Sequence, residues 1–354
     1  MPALLRVFVM NYQALFTVLL SLLLLGACSP AQQETSRSPQ TSEPDPDEVP
    51  LREQTATIGS AIISVDESLQ PIIEAEIAVF EALFPNAKIY PRYYPGEQAI
   101  REMLTNDSIR LAISSRELTD EEAAILERKK IAPSYADILK DGIILLVNPN
   151  NPVRKLSHAQ MLDVLSGKIT DWQELDPEAP AGEIVAVFEH AESSSIRYLQ
   201  DSIMQGRPLL SNRYAKTPTQ ALFEYVKTQE RALGIVGFAW VSDRDDPEMR
   251  DLLSGTKILK LGKDPNKETI CGFDKDAYGP YQAFLYDDCY PLVRTIKSIL
   301  REERHMVGTG FVSFLDGPRG QRAIHKAGLS TVHTIPRRVV FPPVEGAEDI
   351  KQSR

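Results

Sequence analysis

The chain has 354 residues, 43% of them hydrophobic and 25% charged, with a formal net charge of −10. This is the balance of an ordinary globular protein, and its acidic excess argues against a nucleic-acid partner, whose phosphates require clustered Lys and Arg. It does not argue against a small anion held in a buried site, because distant surface charges are screened by salt.

The first element is a targeting segment. Arg6 supplies a positive start, Leu15 to Leu25 an apolar span, and Gly26-Ala27 the small pair before Cys28. Leu25-Gly26-Ala27-Cys28 reads as a lipobox closing a signal peptide over 1–28. Cys28 is then the lipidated first residue of a mature protein that is extracytoplasmic and anchored to a bacterial membrane, which argues against ATP chemistry and cytosolic redox. The alternative, a transmembrane anchor, needs a longer apolar core and a basic flank. From Ser29 to Pro50 the chain is Pro, Ser, Thr, Gln and acid. Such a composition cannot offset the entropy of folding, so 29–50 is expected to be a disordered tether. The folded body starts near Thr55, and the roughly 300 residues beyond it exceed what one core usually serves, so two domains are expected.

Thr55 to Ile63 reads as a strand, followed by the cap signature Asp66-Glu67-Ser68 and apolar residues at helical spacing from Leu69 to Leu83. Lys88–Tyr93 reads as a strand, Glu97–Leu104 as a helix and Arg110–Ser114 as a short strand. Thr119-Asp120-Glu121-Glu122 is a capping box. An apolar strand over Ile143–Asn148 completes a β-α-β-α-β order, the pattern of a parallel sheet faced by helices. A second set follows: helix His158–Leu165, strand Ile184–Phe188, helices Ser194–Met204 and Thr219–Thr228, and strand Gly234–Trp240. The stretch from Tyr290 to Leu329 reads helix, turn, helix. Two α/β lobes with a cleft between them accommodate this order.

No P-loop, dinucleotide turn, HExxH or nucleophile elbow is present. The five histidines are scattered and read as surface residues. The pairs Asp245-Asp246 and Asp287-Asp288 sit in polar turns. An enzyme is not expected, nor a metal or cofactor. Cys271 and Cys289 either form one disulfide outside the cell or stay free, and two thiols are too few for zinc. The positive signal is three polar clusters, each following a strand and opening a helix. They are Asp66-Glu67-Ser68, then Ser114-Ser115-Arg116, then Ser193-Ser194-Ser195 with Arg197. Hydroxyls and helix-start N–H groups donate to an anion without adding charge, and guanidinium adds a planar fork. In an open α/β lobe these clusters lie beyond the carboxyl ends of the strands, where ligands bind. The expected ligand-binding residues are therefore Ser68, Ser114, Ser115, Arg116, Ser193, Ser194, Ser195 and Arg197.

Three blocks carry a family resemblance. They are Leu165-Ser166-Gly167-Lys168-Ile169-Thr170-Asp171-Trp172, then Gly234-Ile235-Val236-Gly237-Phe238, and then Tyr290-Pro291-Leu292-Val293-Arg294 with Gly310 to Leu315 and Gly320-Gln321 to Leu329. In order and spacing the sequence resembles the phosphate-binding proteins of phosphate ABC transporters, in the type II solute-binding superfamily. The resemblance implies an α/β, two-lobed fold with two mixed sheets flanked by helices, a hinge and a central cleft. It implies a first lobe over 51–147 and 263–340, a second lobe over 148–262 inserted in it, and a polar tail over 341–354. It further implies capture of phosphate or a related oxyanion, delivery to an ABC permease, and a monomer. A divergent sensor or interaction lipoprotein on the same fold is the alternative. On the structural side, Trp172 is expected beneath a loop, Phe238 and Trp240 in the second lobe's core, and Phe311 and Phe314 in the first.

The binding motifs depart from the family's. Its Arg-x-Asp-Gly-Ser-Gly-Thr segment aligns with Glu189, Ala191 and Ser193-Ser194-Ser195, so hydroxyls remain while Arg and Asp do not. Ser115 stands at a second Asp. A carboxylate in such a site accepts the proton of hydrogen phosphate and repels sulfate. Here Glu97, Asp66 or Glu67 is left to supply that acceptor, and Arg116 and Arg197 the positive charge. The family's first-lobe loop corresponds to Gly59-Ser60 or to Ser68.

Overall fold

The computed structural model describes residues 54–269, 271, 276–302 and 305–333. The signal peptide with Cys28, the tether and the polar tail expected from the sequence lie outside them.

The first strand, β1 (Gly59–Asp66), starts later than the β-branched run suggested, and its last four residues are buried. Asp66 ends it by capping a single 3-10 turn over Glu67–Leu69. That turn leads into α1 (Gln70–Leu83), which buries Ile72, Ile73, Ile77 and Phe80 on one face. Next come β2 (Ala87–Tyr94), α2 (Gln98–Thr105) and β3 (Ile109–Ser114). Both β2 and β3 run parallel to β1, as the alternation of elements implied. The Thr119–Glu122 capping box forms and starts α3 (Asp120–Arg128).

A 14-residue strand, β4 (Ser134–Val147), joins the two halves of the molecule. Only its apolar end, from Ile143, was legible, because Ser134, Tyr135 and Asp137 face solvent and break the apolar run. The chain then forms β5 (Lys155–Leu156), α4 (His158–Leu165), β6 (Val185–Phe188) and α5 (Ser194–Tyr198). The helix expected through Met204 ends early, in one wider π-type turn over Leu199–Ile203. After β7 (Arg213–Ala215) and α6 (Thr219–Thr228) comes β8 (Ala232–Gly237), buried throughout. Phe238–Trp240 leave that strand as a 3-10 turn rather than extending it. The second half closes with α7 (Pro247–Leu253), β9 (Lys257–Ile258) and β10 (Lys260–Leu261).

A short α8 (Gln282–Tyr286) precedes β11 (Val293–Leu300), where the sequence suggested a helix. The error has a physical source. Arg294, Ile296 and Ser298 point inward while Val293, Thr295 and Lys297 are part-exposed, so a period of two is masked by a charged residue on the buried face. The last elements are α9 (Val307–Asp316), α10 (Pro318–Lys326) and β12 (Ser330–Thr331).

The main sheet runs β2-β1-β3-β11-β4-β8-β6-β7. β11 is antiparallel to both β3 and the first part of β4, Ser134 to Gly142. From Ile143 onward β4 pairs instead with β8, antiparallel, and β8, β6 and β7 are mutually parallel. The two mixed sheets therefore share one strand, and the hand-over falls at Gly142/Ile143. In the first half Phe80, Phe311 and Phe314 pack with ring centroids 5.3 and 5.5 Å from Phe80. Trp172, Phe238 and Trp240 are buried in the same continuous core. Cys271 and Cys289 form a disulfide with a Cα–Cα distance of 5.8 Å, which decides the alternative the sequence left open.

Candidate functional site

The hand-over in β4 is also where the charged chemistry collects. Arg294, near the start of β11, is paired in register with Asp141 on β4. Both side chains are out of solvent, at 1% and 0% exposure. The Asp141 Oδ2 accepts from Arg294 Nε at 3.1 Å and from Nη2 at 2.9 Å, and Oδ1 accepts from the Ala239 N–H at 3.1 Å. Two further guanidinium hydrogens go to hydroxyls from opposite sides of the cleft. Nη1 donates to Ser194 Oγ at 2.7 Å and Nη2 to Ser68 Oγ at 2.9 Å. The two serine oxygens are 3.3 Å apart. Ser68 is held by Asp66, whose Oδ1 accepts from its hydroxyl at 2.8 Å and from its N–H at 3.1 Å. One guanidinium therefore ties the end of β1, the hinge strands and the start of α5.

Close backbone approach makes this possible. A Cβ on Gly237, at the end of β8, would stand 3.0 Å from Arg294 Nη2 and 3.3 Å from Asp141 Oδ2. Burial works against the charge on Arg294, but the carboxylates of Asp141 and Asp66 outweigh it and raise its pKa. The guanidinium thus stays charged. Burial also pushes the Asp141 carboxyl up, with Arg294 opposing. Glu189, immediately after β6, is buried, and this raises it to about 7 against the hydrogen bond from Ser195 Oγ at 2.6 Å. Two buried oxygens beside this network, Asp66 Oδ2 and Glu189 Oε2, have no hydrogen-bond partner among the described residues.

A recess of about 70 Å³ opens beside Ser194. Five expected residues line it: Ser114, Ser115, Arg116, Ser194 and Arg197. Its two guanidinium groups are not free. Arg116 contacts Glu97 at 2.9 Å and Glu122 at 2.7 Å, while Arg197 pairs with Glu97 and with Asp201 at 3.1 Å. Glu97 thus bridges them across the cleft. Of the other expected residues, Ser68 joins the Arg294 cluster and Ser195 hydrogen-bonds Glu189. The Ser193 Oγ accepts from the Ile196 N–H at 3.3 Å and so caps α5.

The sequence reading missed Arg294 and Asp141 as site residues. A signal existed, since Arg294 closes the Tyr290–Arg294 block. An inward-facing Arg on a strand also demands a buried acid, but its partner lies 153 residues away and is set by strand register alone.

This geometry defines a class: two α/β halves, a through-going hinge strand and polar groups converging from both sides on one cleft. A family model described as a PBP superfamily domain matches residues 51–317, and the chain belongs to that superfamily. Within it, the chain is 24% identical over 311 residues to the phosphate-binding protein PstS of Staphylococcus aureus strain USA300, covering 87% of this chain and 84% of that one. It is 23% identical over 215 residues to the protein of the same name from Staphylococcus saprophyticus, 60% of this chain and 61% of that relative. The chain thus spans less than two thirds of some relatives it matches. Among solved structures, one from Clostridium perfringens is described as a phosphate ABC transporter substrate-binding protein with bound phosphate. It superposes with a TM-score of 0.61 at 23% identity, covering 78% of this chain and all of that one. An ABC-type phosphate transport receptor from Vibrio cholerae gives 0.56 at 18% identity, covering 77% and 99%. The shared fold is the two-lobed one expected from the sequence, and these relatives are binding proteins and receptors, not enzymes. No helix among the described residues is long and apolar enough to cross a membrane.

Proposed function

We propose that this protein is an extracytoplasmic receptor that captures inorganic phosphate, or a closely related oxyanion, between its two halves and passes it to an ABC permease. Cys28 serves as its lipid anchor in this reading, and it works as a monomer. The observation that carries the reading is the buried Arg294 guanidinium with Ser68 and Ser194 hydrogen-bonded to it from opposite sides. An oxyanion placed among these groups receives charge-assisted hydrogen bonds in a water-poor setting, where they are strongest. Because donors come from both halves, binding favours the closed arrangement, a hinge closure. Asp141 holds the guanidinium in orientation and offsets its charge. The unpartnered oxygens of Asp66 and Glu189 are candidate acceptors for the proton of hydrogen phosphate. They stand in for the acids missing from the serine segment, and they disfavour sulfate by unpaired like charge. Arg116 and Arg197 lie at the mouth, where incoming anion displaces Glu97 from them.

A sensor or interaction lipoprotein is the second reading, favoured by one observation: Glu97 already neutralises both mouth arginines. Calorimetric titration of the full chain with phosphate and then sulfate separates the two. Micromolar or tighter phosphate with weak sulfate supports the receptor, and Arg197→Ala then weakens binding about tenfold or more. No heat with either anion overturns it in favour of the sensor.

A further inference from the structure

Glu97 stands between two cations that belong to different halves. Its Oε1 lies 2.9 Å from Arg116 Nη2 on its own side of the cleft and contacts Arg197 Nη1 on the other. That oxygen is closed off from water, yet it is in hydrogen-bond alignment with no donor among the described residues. Each arginine also has a carboxylate of its own. Glu122 takes both terminal nitrogens of Arg116, at 2.7 and 2.9 Å, and Asp201 takes Arg197 at 3.1 Å. Glu97 is therefore the more loosely held partner of both. Within this cluster three carboxylates face two guanidinium groups, an excess of one negative charge that opposes an incoming anion. The Glu97 side chain takes no part in capping α2, although the residue occupies its N-cap. The backbone beside it touches the other half, since a Cβ on Gly96 would overlap the carbonyl oxygen of Glu192.

We propose that Glu97 is a built-in competitor of the ligand. Its carboxylate holds the place of an anion between Arg116 and Arg197 and latches the two halves across the mouth, so it has to leave before an anion takes both arginines. The identity of that anion rests on the receptor reading, whereas the latch rests on the ion pairs alone. A latch between the halves draws the cleft closed before any anion arrives, and it lowers apparent affinity by the fraction of molecules it holds shut. Once displaced to the edge of the recess, the carboxylate still repels a dianion. Removing its charge therefore opens the cleft and tightens anion binding. The sign separates this role from the other one open to Glu97, acceptor of the ligand's proton, for which loss of the carboxylate weakens binding. Because the Arg197 side chain is 43% exposed, salt loosens the latch.

The test takes the full chain in phosphate-free buffer as wild type, Glu97→Gln and Arg197→Gln. Small-angle X-ray scattering gives the radius of gyration before ligand, and calorimetry follows titration with inorganic phosphate. Glutamine keeps the shape of Glu97 and removes its charge. Glu97→Gln is expected to be more expanded than wild type before phosphate and to bind phosphate about tenfold more tightly, the scale of one charge-assisted hydrogen bond. Arg197→Gln is expected to be expanded as well, since it breaks the same latch, but to bind phosphate more weakly. Scattering of Glu97→Gln identical to wild type overturns the inference. So does unchanged or weaker phosphate binding in that variant, the weaker case assigning Glu97 to the ligand's proton instead. Where phosphate gives no heat with any of the three proteins, expansion of both variants upholds the latch and the receptor reading fails, while unchanged scattering overturns both.

Discussion

Replacing Arg294 by Met tests the centre of the site, because it separates the charge of the pair from the space it fills. In the native protein the guanidinium gives two hydrogen bonds to Asp141 and one each to Ser68 and Ser194. Methionine occupies much of the same volume and supplies none of them. Ser68 keeps Asp66 as a partner, so its loss is small. Asp141 is the costly remnant: a fully buried carboxylate left with backbone N–H groups such as that of Ala239. Breaking a buried pair from one side typically costs about 3–5 kcal/mol. Within a total stability of about 5–15 kcal/mol the variant still folds, with a midpoint much reduced. Urea denaturation at pH 7 is the assay, with Asp141→Asn added as the second arm. Once the orphaned charge is gone, the double variant should recover much of the loss, a coupling of about 2–3 kcal/mol between the positions. Phosphate binding stays lost in both. If Arg294→Met lies within about 1 kcal/mol of the wild type, or the two changes simply add, Asp141 is not held ionised by Arg294 and the electrostatic account fails.

Three further outcomes are expected. Gly237→Ala puts a Cβ 3.0 Å from Arg294 Nη2, and since four hydrogen bonds hold that group, phosphate affinity should fall about tenfold or more, read by titration. Glu76, buried on α1 with both oxygens unpartnered among the described residues, is raised by burial from 4.5 to about 8. Between those values the folded state holds more protons than the unfolded one, so this residue's contribution to stability declines as pH rises from 4.5 to 8. Denaturation at several pH values should show Glu76→Gln flattening that decline, and an unchanged slope would contradict it. Removing the Cys271–Cys289 bridge, with a sequence separation of 18, by a double Ser substitution should cost about 3 kcal/mol in denaturation.

Local patterns carried much of this protein. The helical spacing of α1, the capping box at Thr119 and the strand-helix alternation up to β3 follow from nearest-neighbour sterics and periodicity, so they could be read directly. So could the serine clusters at strand ends, because a chain leaving a buried strand for a helix must cap its N–H groups. Three ordered blocks carried the family. What the sequence could not supply were the partners. Arg294 looked like part of a helix, and Asp141 lay outside the strand as read. Only the register of β11 on β4 sets them side by side, and only the approach of β1 and α5 from opposite halves brings Ser68 and Ser194 onto the same guanidinium. Likewise Arg116 and Arg197 were legible as cations, but not that Glu97 sits between them. Composition and spacing fix what a residue can do chemically; long-range packing decides which groups meet in a space too dry for water to stand in for either.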